Sequence, residues 1–236
     1  MVSIRSHLAG RRIARSLKGL ALWFCVAASV SRAAELGELL DGWCAAQTNI
    51  HTWSADLTQT RSLKAISQPL VTMGKIWVRT PNWFRWELGR PAQTIALRQP
   101  DWLMLIYPRL KRVEKYPLGD AQPGPWRDAL ALLEASFPRN RAELESRFRV
   151  LSVTQTNSIA QLALQPRSAS ARKFMTEIQV SLRTNDFSLA ATELRFSDGS
   201  SMRSEYTHAV VNAPLGEGMF EAKWDADFTV VEPLRP

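Results

Sequence analysis

Residues 78–88 read VRTPNWFRWEL. Three large aromatic side chains, Trp83, Phe84 and Trp86, fall close together around a single arginine. In an extended chain, alternate side chains point to opposite faces. Phe84, Trp86 and Leu88 then share one face, and Trp83, Arg85 and Glu87 share the other. The run before it, Leu70 to Arg79, is also extended in character, and Thr80-Pro81-Asn82 joins the two. With register kept across that link, Ile76 and Val78 continue the face of Phe84 and Trp86. One side of this strand pair is an apolar wall, which requires more sheet on either side and something to cover it.

The flanking sequence supplies both. Trp53, Ala55 and Leu57 alternate with Ser54, Asp56 and Thr58. Gln93 to Arg98, Trp102 to Tyr107 and Lys111 to Tyr116 follow at short intervals, as in an antiparallel meander. Pro117 to Pro125 is rich in Gly and Pro, and Trp126 to Phe137 has helical character, with Leu130, Leu133 and Phe137 along one side. Arg141 to Arg147 is a candidate short helix. Strands resume at Phe148 to Gln155, Ser158 to Gln165 and Phe174 to Arg183. In the last of these, Phe174, Ile178, Val180 and Leu182 read as one face, and Met175, Glu177, Gln179, Ser181 and Arg183 as the other. Leu189 to Ser197 and Ser201 to Val211 form a hairpin about Asp198-Gly199, and Phe220 to Val231 is a final extended stretch. Ahead of all this, Glu35 to Ile50 places Leu36, Leu39, Leu40, Trp43 and Ile50 at helical spacing, a stripe that only Gln47 interrupts. The expected fold is mainly β with some α: about eleven strands in a strongly curved antiparallel sheet wrapped on itself, an N-terminal helix and a helical insert. A sheet of this size either fills its interior with side chains or encloses a cavity.

The first 33 residues read as a secretory signal peptide: Arg5, Arg11, Arg12, Arg15 and Lys18, then the apolar run Leu20 to Val30, then Ser31-Arg32-Ala33. Residues 34–236 are expected to form a single domain in the periplasm. Cys25 follows Leu22-Trp23-Phe24, without the small residue a lipoprotein signal needs, so a soluble mature protein is expected. The chain has 30 Lys and Arg against 22 Asp and Glu, but residues 1–33 hold six of the basic residues and none of the acidic ones. The remainder is 24 against 22, which gives no reason to expect nucleic acid as a partner. Cys44 is then the only cysteine left, too few for an internal disulfide, and is read as a small buried hydrophobe.

Motifs of catalysis are scarce. His51 and His208 show no metal-ligand spacing with another His or Cys, so no metal and no cofactor are expected. The sequence has no G-x-S-x-G elbow and no phosphate-cradling glycine loop. Asp198, Ser200, Ser201 and His208 invite a triad reading, yet Asp-Gly-Ser at a hairpin is ordinarily a turn. The protein is not expected to be an enzyme. Tryptophan stands out instead: nine occur, and Trp53, Trp77, Trp83, Trp86 and Trp102 all lie in the first half of the sheet.

The stretch from Gly74 to Trp86, GKIWVRTPNWFRW, resembles the "G-x-(apolar)-W-V-x-R-P-x-x-F-x-W" motif of the LolA family, periplasmic carriers of outer-membrane lipoproteins. WSADLTQ, from Trp53 to Gln59, is similar to an earlier strand of that family, of form "F-x-A-x-F-x-Q". Pro91, the run Trp102 to Pro108, Asn212, Phe220 and the closing FTVVEPL follow in the family's order, so the resemblance spans nearly all of the chain after residue 33. It implies an incomplete β-barrel closed by short helices around a hydrophobic cavity for acyl chains, with Phe84 as the cavity phenylalanine. By the same resemblance, helix Glu35–Ile50 and the insert near Trp126–Phe137 form a lid, with Leu39, Trp43, Leu130, Leu133 and Phe137 as its apolar contacts. The family's arginine directly before the proline helps to hold that lid closed. Here Thr80 has that place, and the candidate latch residues are Arg79 and Arg85. One step along a strand swaps faces, so Arg79 is expected to point outward.

The strands Trp53–Ser62 and Leu70–Leu88 are expected to line the cavity, with Trp53, Leu57, Ile76, Val78, Phe84, Trp86 and Leu88 as its wall. The tract Asp128 to Val150 looks closer to divergent LolA-like proteins, some of which serve exporters of other lipids. The expected function is a monomeric periplasmic carrier for the acyl chains of a lipoprotein or another lipid, such as a glycolipid. It would be loaded by an inner-membrane exporter and unloaded to an outer-membrane acceptor. Two alternatives are a periplasmic lipid-sensing protein of the kind that binds an anti-sigma factor and a lipid esterase. The sensors carry an additional C-terminal domain, which is not expected here.

Overall fold

The computed structural model describes residues 36–118 and 135–233. The chain divides into two units, Met1–Leu39 and Leu40–Pro236. Of the first unit, only the start of helix α1, which runs over residues 36–48, is described.

The second unit is built on one sheet. Its first six strands are β1 (Thr52–Ser62), β2 (Leu70–Arg79), β3 (Trp83–Leu88), β4 (Thr94–Arg98), β5 (Trp102–Tyr107) and β6 (Arg112–Pro117). Helix α2 (Arg141–Arg147) leads into β7 (Phe148–Thr156) and β8 (Ile159–Pro166). A single helical turn, α3 (Ala169–Arg172), precedes β9 (Met175–Arg183), β10 (Leu189–Phe196) and β11 (Ser201–Val211), and β12 (Thr229–Val231) closes the series. The strand order is β12-β6-β5-β4-β3-β2-β1-β11-β10-β9-β8-β7, so two meanders are zipped together where β1 meets β11. The sheet is not closed: β7 and β12 are its edges. All pairings are antiparallel except that of β12 with β6. The sequence leads one to expect about eleven strands, and the described chain has twelve.

Register aligns the apolar residues of three strands. Trp53 lies beside Val78, and Val78 beside Phe84; Ala55, Ile76 and Trp86 form the next row, and Leu57, Gly74 and Leu88 the third. All of these except Leu88 are buried. Glycine at position 74 has a steric cause: a Cβ there would come within 2.0 Å of the Glu87 carbonyl oxygen, so β2 and β3 approach too closely for any side chain.

The opposite face of β2–β6 is also buried, contrary to the simple alternation of wall and solvent. Leu97, Met104, Ile106, Val113 and Phe220 form a second core, with Trp77, Trp83, Ile95, Trp102 and Trp224 packed against it. The cover is the C-terminal segment. Phe220–Val231 is not an extended stretch: only Thr229–Val231 is strand, and the residues before it run in turns. Phe220, Trp224 and Phe228 all pack on this second core. Gln99 Nε2 donates to the Phe220 carbonyl at 2.9 Å, and the Thr229 amide donates to the Lys111 carbonyl at 2.8 Å.

The face assigned to Phe174 and Met175 is reversed. Phe174 is 61% exposed and Met175 is fully buried, because the β9–β10 register shifts between Arg195 and Phe196. The irregularity breaks the period of two at the head of β9.

The junction between α1 and β1 is pinned from two sides. Asn212, at φ +57°, accepts from the His51 amide at 2.8 Å and from the Thr52 amide at 3.3 Å, and donates to the Asn49 carbonyl at 2.8 Å. Asparagine tolerates that left-handed conformation better than most residues. Across the junction, Thr80 Oγ1 donates to the Ile50 carbonyl at 2.9 Å and the Thr80 amide to the His51 carbonyl at 3.0 Å.

Two stability predictions follow from these contacts. Phe220→Ala empties the centre of the second core and should cost about 3 kcal/mol in urea unfolding; a loss below about 1 kcal/mol would mean that the C-terminal segment merely rests on the sheet. Asn212→Ala removes three hydrogen bonds at the α1–β1 junction and should cost about 1–2 kcal/mol in the same measurement.

Candidate functional site

The chain between Phe137 and Phe148 lies over the inner face of β1–β3, and Gly42 of α1 lies against the Phe187 ring between β9 and β10. Trp43 is fully buried on α1, and Leu40, Cys44 and Gln47 are buried with it. Burial pushes the Cys44 thiol pKa up. Gln47, the residue that interrupts the apolar stripe, nevertheless turns inward. A helix ends at Ser136, and Phe137 follows with its ring 5.3 Å from that of Trp53, edge to face. Trp53 makes a second edge-on contact, also at 5.3 Å, with Tyr206 of β11. The Tyr206 hydroxyl lies 2.9 Å from Thr192 Oγ1, and burial raises its pKa to about 12.

Asn140 caps α2, its Oδ1 accepting from the Glu143 amide at 2.8 Å, and Leu144 is the buried residue of that helix. The polar side of α2 carries Arg141, whose Nε lies 2.8 Å from Glu145 Oε1 and whose Nη1 lies 3.4 Å from Asp41 Oδ1 on α1. All three side chains are well exposed, and ion pairs of this kind hold little, about 0–1 kcal/mol each.

A cavity of about 100 Å³ lies between the β2–β3 link and the 137–148 segment. Its apolar lining comes from Val78, Phe84, Phe137, Leu144 and Phe148, and its charged lining from Arg98, Arg139, Glu143 and Arg147. Ligand pockets commonly measure roughly 300–1,000 Å³. This cavity alone is too small for a long acyl chain.

The expected wall residues divide accordingly. Val78 and Phe84 line the cavity. Trp53, Ile76 and Trp86 share their face and lie buried in the packed rows beside them, Leu57 lies further along it, and Leu88 is half-buried at its end. Of the expected lid residues, Trp43 and Phe137 are placed as described. Leu39 is half-buried on α1 in the separate unit of residues 1–39, and Leu130 and Leu133 lie outside the described residues.

The expected latch residues hold a different segment. The Arg79 guanidinium stacks on Trp83 and Phe220, at 4.7 and 4.8 Å. Arg85 pairs with Glu87 at 2.6 Å and donates to the Met219 carbonyl at 3.4 Å. Both therefore bind the C-terminal segment on the outer face rather than the helices on the inner face, as the alternation of β2 and β3 requires. Thr80, in the place of the family arginine, is the residue tied to the end of α1.

Arg98, Leu144 and Phe148 were not singled out from the sequence. In β4 the apolar residues Ile95 and Leu97 look outward to the second core, so Ala96 and Arg98 face inward. Only the C-terminal aromatics Phe220, Trp224 and Phe228 hinted that the outer face would be buried too.

The residues of the candidate triad do not meet. Asp198 Oδ1 accepts from the Ser200 hydroxyl at 2.6 Å and from its amide at 2.9 Å, which closes the hairpin turn. His208 Nδ1 lies instead 3.0 Å from Asp56 Oδ2, and that contact is the main cause holding the Asp56 carboxyl pKa down. Among the described residues no group of three or more His, Cys, Asp or Glu side chains is arranged to hold a metal ion, and no helix is long and apolar enough to cross a membrane.

The family model of the outer membrane lipoprotein carrier protein LolA matches residues 48–223. No curated protein matches the chain. Among solved structures, an uncharacterized conserved protein from Thermus thermophilus is similar at 11% identity and a TM-score of 0.49, covering 84% of this chain and 99% of its own. A LolA superfamily protein from Nitrosomonas europaea is similar at 8% identity and a TM-score of 0.42, covering 79% and 97%. A third similar structure is the MucA/MucB complex of Pseudomonas aeruginosa, at 16% identity and a TM-score of 0.43, covering 82% of this chain and 62% of that one. The family match takes in the β2–β3 wall, the cavity lining and the start of the C-terminal segment, and by it the chain belongs to the LolA family of outer membrane lipoprotein carrier proteins.

Proposed function

We propose that the protein is a periplasmic carrier that hides the acyl chain of a lipoprotein or other lipid against the inner face of β1–β3. The observation that carries this reading is the pairing of a continuous apolar wall, Trp53–Val78–Phe84 and the rows beside it, with a covering segment whose helix α2 meets α1 through the exposed ion pair of Arg141 and Asp41. The N-terminal segment would export the chain, an inner-membrane exporter would load it, and an outer-membrane acceptor would unload it.

The physics sets the requirement. A sixteen-carbon chain has about fourteen methylenes, each worth about 0.8 kcal/mol on leaving water, so the carrier must supply on the order of 11 kcal/mol of apolar shelter. A cavity of about 100 Å³ does not supply it, so binding in this cavity requires it to widen. Closing over the wall when empty keeps Trp53, Phe84 and Trp86 dry; the acyl chain replaces those contacts when the cover lifts. Transfer then needs no nucleotide in this protein: cargo moves toward whichever partner offers the better shelter.

Phe84 is only 3% exposed, so a glutamate there would disturb folding as well as binding. A cleaner test acts on the cover. A fluorescent sixteen-carbon acyl probe should quench tryptophan emission saturably. Arg141→Ala, which removes the contact to Asp41, should raise probe affinity about two- to fivefold by easing opening. Absence of any saturable quenching would refute the carrier reading, and weaker binding by Arg141→Ala would refute the role given to this contact.

A further inference from the structure

The cavity lies at the Arg79 end of β2, and a different surface lies at the Leu70 end. Residues 70–73 run past the last pair of β2 with β3, Gly74 and Leu88. Leu70 is 51% exposed and Val71 62%, and Ile66, in the turn before them, is 43% exposed. Next along the sheet, Ser62 at the end of β1 pairs with Ser201 at the start of β11, so the β1–β2 and β10–β11 turns are neighbours. Lys64 of the first turn interacts with the charge of Asp198 in the second. Ser197 ties in a third connection, that between β8 and β9. Its amide donates to the Phe174 carbonyl at 2.8 Å and its hydroxyl to the Lys173 carbonyl at 2.7 Å. The Phe174 side chain is itself exposed.

These three connections, residues 63–69, 167–174 and 197–200, carry Lys64, Arg167, Arg172 and Lys173 against the single acid Asp198. All four basic residues are exposed. Arg167 donates to the Glu145 carbonyl at 2.6 Å and Arg172 to the Pro166 carbonyl at 2.9 Å, bonds that orient the guanidinium groups without neutralising them. Leu70 opens β2 and Phe174 directly precedes β9, four strands away in the sheet order, or about 19 Å at the usual strand spacing. Exposed apolar side chains spread that widely among cations suit an extended anionic surface better than a small ligand. A second copy of the chain meeting this end with its own would bring the same cations face to face.

We propose that this end of the sheet docks on an anionic lipid surface. Ile66, Leu70, Val71 and Phe174 enter the headgroup layer, and Lys64, Arg172 and Lys173 meet the lipid phosphates. The inference does not rest on the carrier reading. Docked this way, the protein keeps the cavity at the far end of β2 away from the bilayer.

The test is amide hydrogen exchange of the full chain, with and without vesicles of about 30% phosphatidylglycerol in phosphatidylcholine. Exchange is read segment by segment, so any attraction of the basic, apolar residues 1–33 to the vesicles is read apart from this surface. Amides of residues 63–69 and 167–174 should exchange about three- to tenfold more slowly with the anionic vesicles and at an unchanged rate with pure phosphatidylcholine. Lys64→Gln/Lys173→Gln should abolish most of the slowing by removing charge, and Val71→Ser/Phe174→Ser by removing apolar area. All four of these side chains are exposed, so urea unfolding should not change. Val210→Ser, exposed at the other end of β11, should leave the slowing intact. No slowing in either segment, equal slowing with neutral vesicles, or slowing that survives both double variants would overturn the proposal. Slowing of the same amides with rising protein concentration and no vesicles would overturn it in favour of a second copy. None of these results bears on the carrier reading, which the acyl probe tests separately.

Discussion

The register of β1, β2 and β3 is the constraint from which the rest of the structure follows. Trp53, Val78 and Phe84 stand side by side, with Ala55, Ile76 and Trp86 behind them. A slip of one residue in either pairing would turn that whole face outward. Gly74 lets β2 and β3 approach closely at the end of the wall, and Thr80 and Asn212 tie the end of α1 to the two strands on either side of β1. The wall, its cover and the junction between them are thus set by one short part of the sheet.

The two faces of that sheet have different tasks. Outside, aromatic packing and the stacking of Arg79 fasten the C-terminal segment and give a fixed core. Inside, the contacts between cover and wall are apolar and edge-on, and the polar contacts between α1 and α2 are exposed. Apolar contacts of this kind can be exchanged for an acyl chain at little net cost, since the hydrophobic effect depends on area and not on direction. In the proposed carrier reading, the outer core stays in place while the inner cover is exchanged for cargo.

Much of this was legible in the sequence because strands with one exposed and one buried face write their orientation as an alternation. β1–β3 do so, and the wall residues Val78 and Phe84 could be named from it. Legibility failed where that premise failed. In β4 both faces are covered, so Ile95 and Leu97 mark the outer core and Arg98, polar in the pattern, faces in. The even spacing of Phe220, Trp224 and Phe228 fits one face of a strand as well as it fits the irregular chain they lie in, so the pattern alone reads as extended. Phe174 and Met175 were exchanged by a register shift that no local pattern announces. Arg79 and Arg85 were correctly outward, but what they hold there depends on a segment more than a hundred residues away.

The central claim is that cargo enters between the β2–β3 wall and its cover. It is tested most directly by photocrosslinking with a sixteen-carbon fatty acid bearing a diazirine near the middle of its tail, followed by mass spectrometry of the labelled peptides. The account predicts labels on the inner side, at Val78, Phe84, Phe137, Leu144 or Phe148, that an excess of unlabelled palmitate removes. Labels confined to the exposed apolar residues outside, such as Val71, Met73 and Phe174, would contradict it.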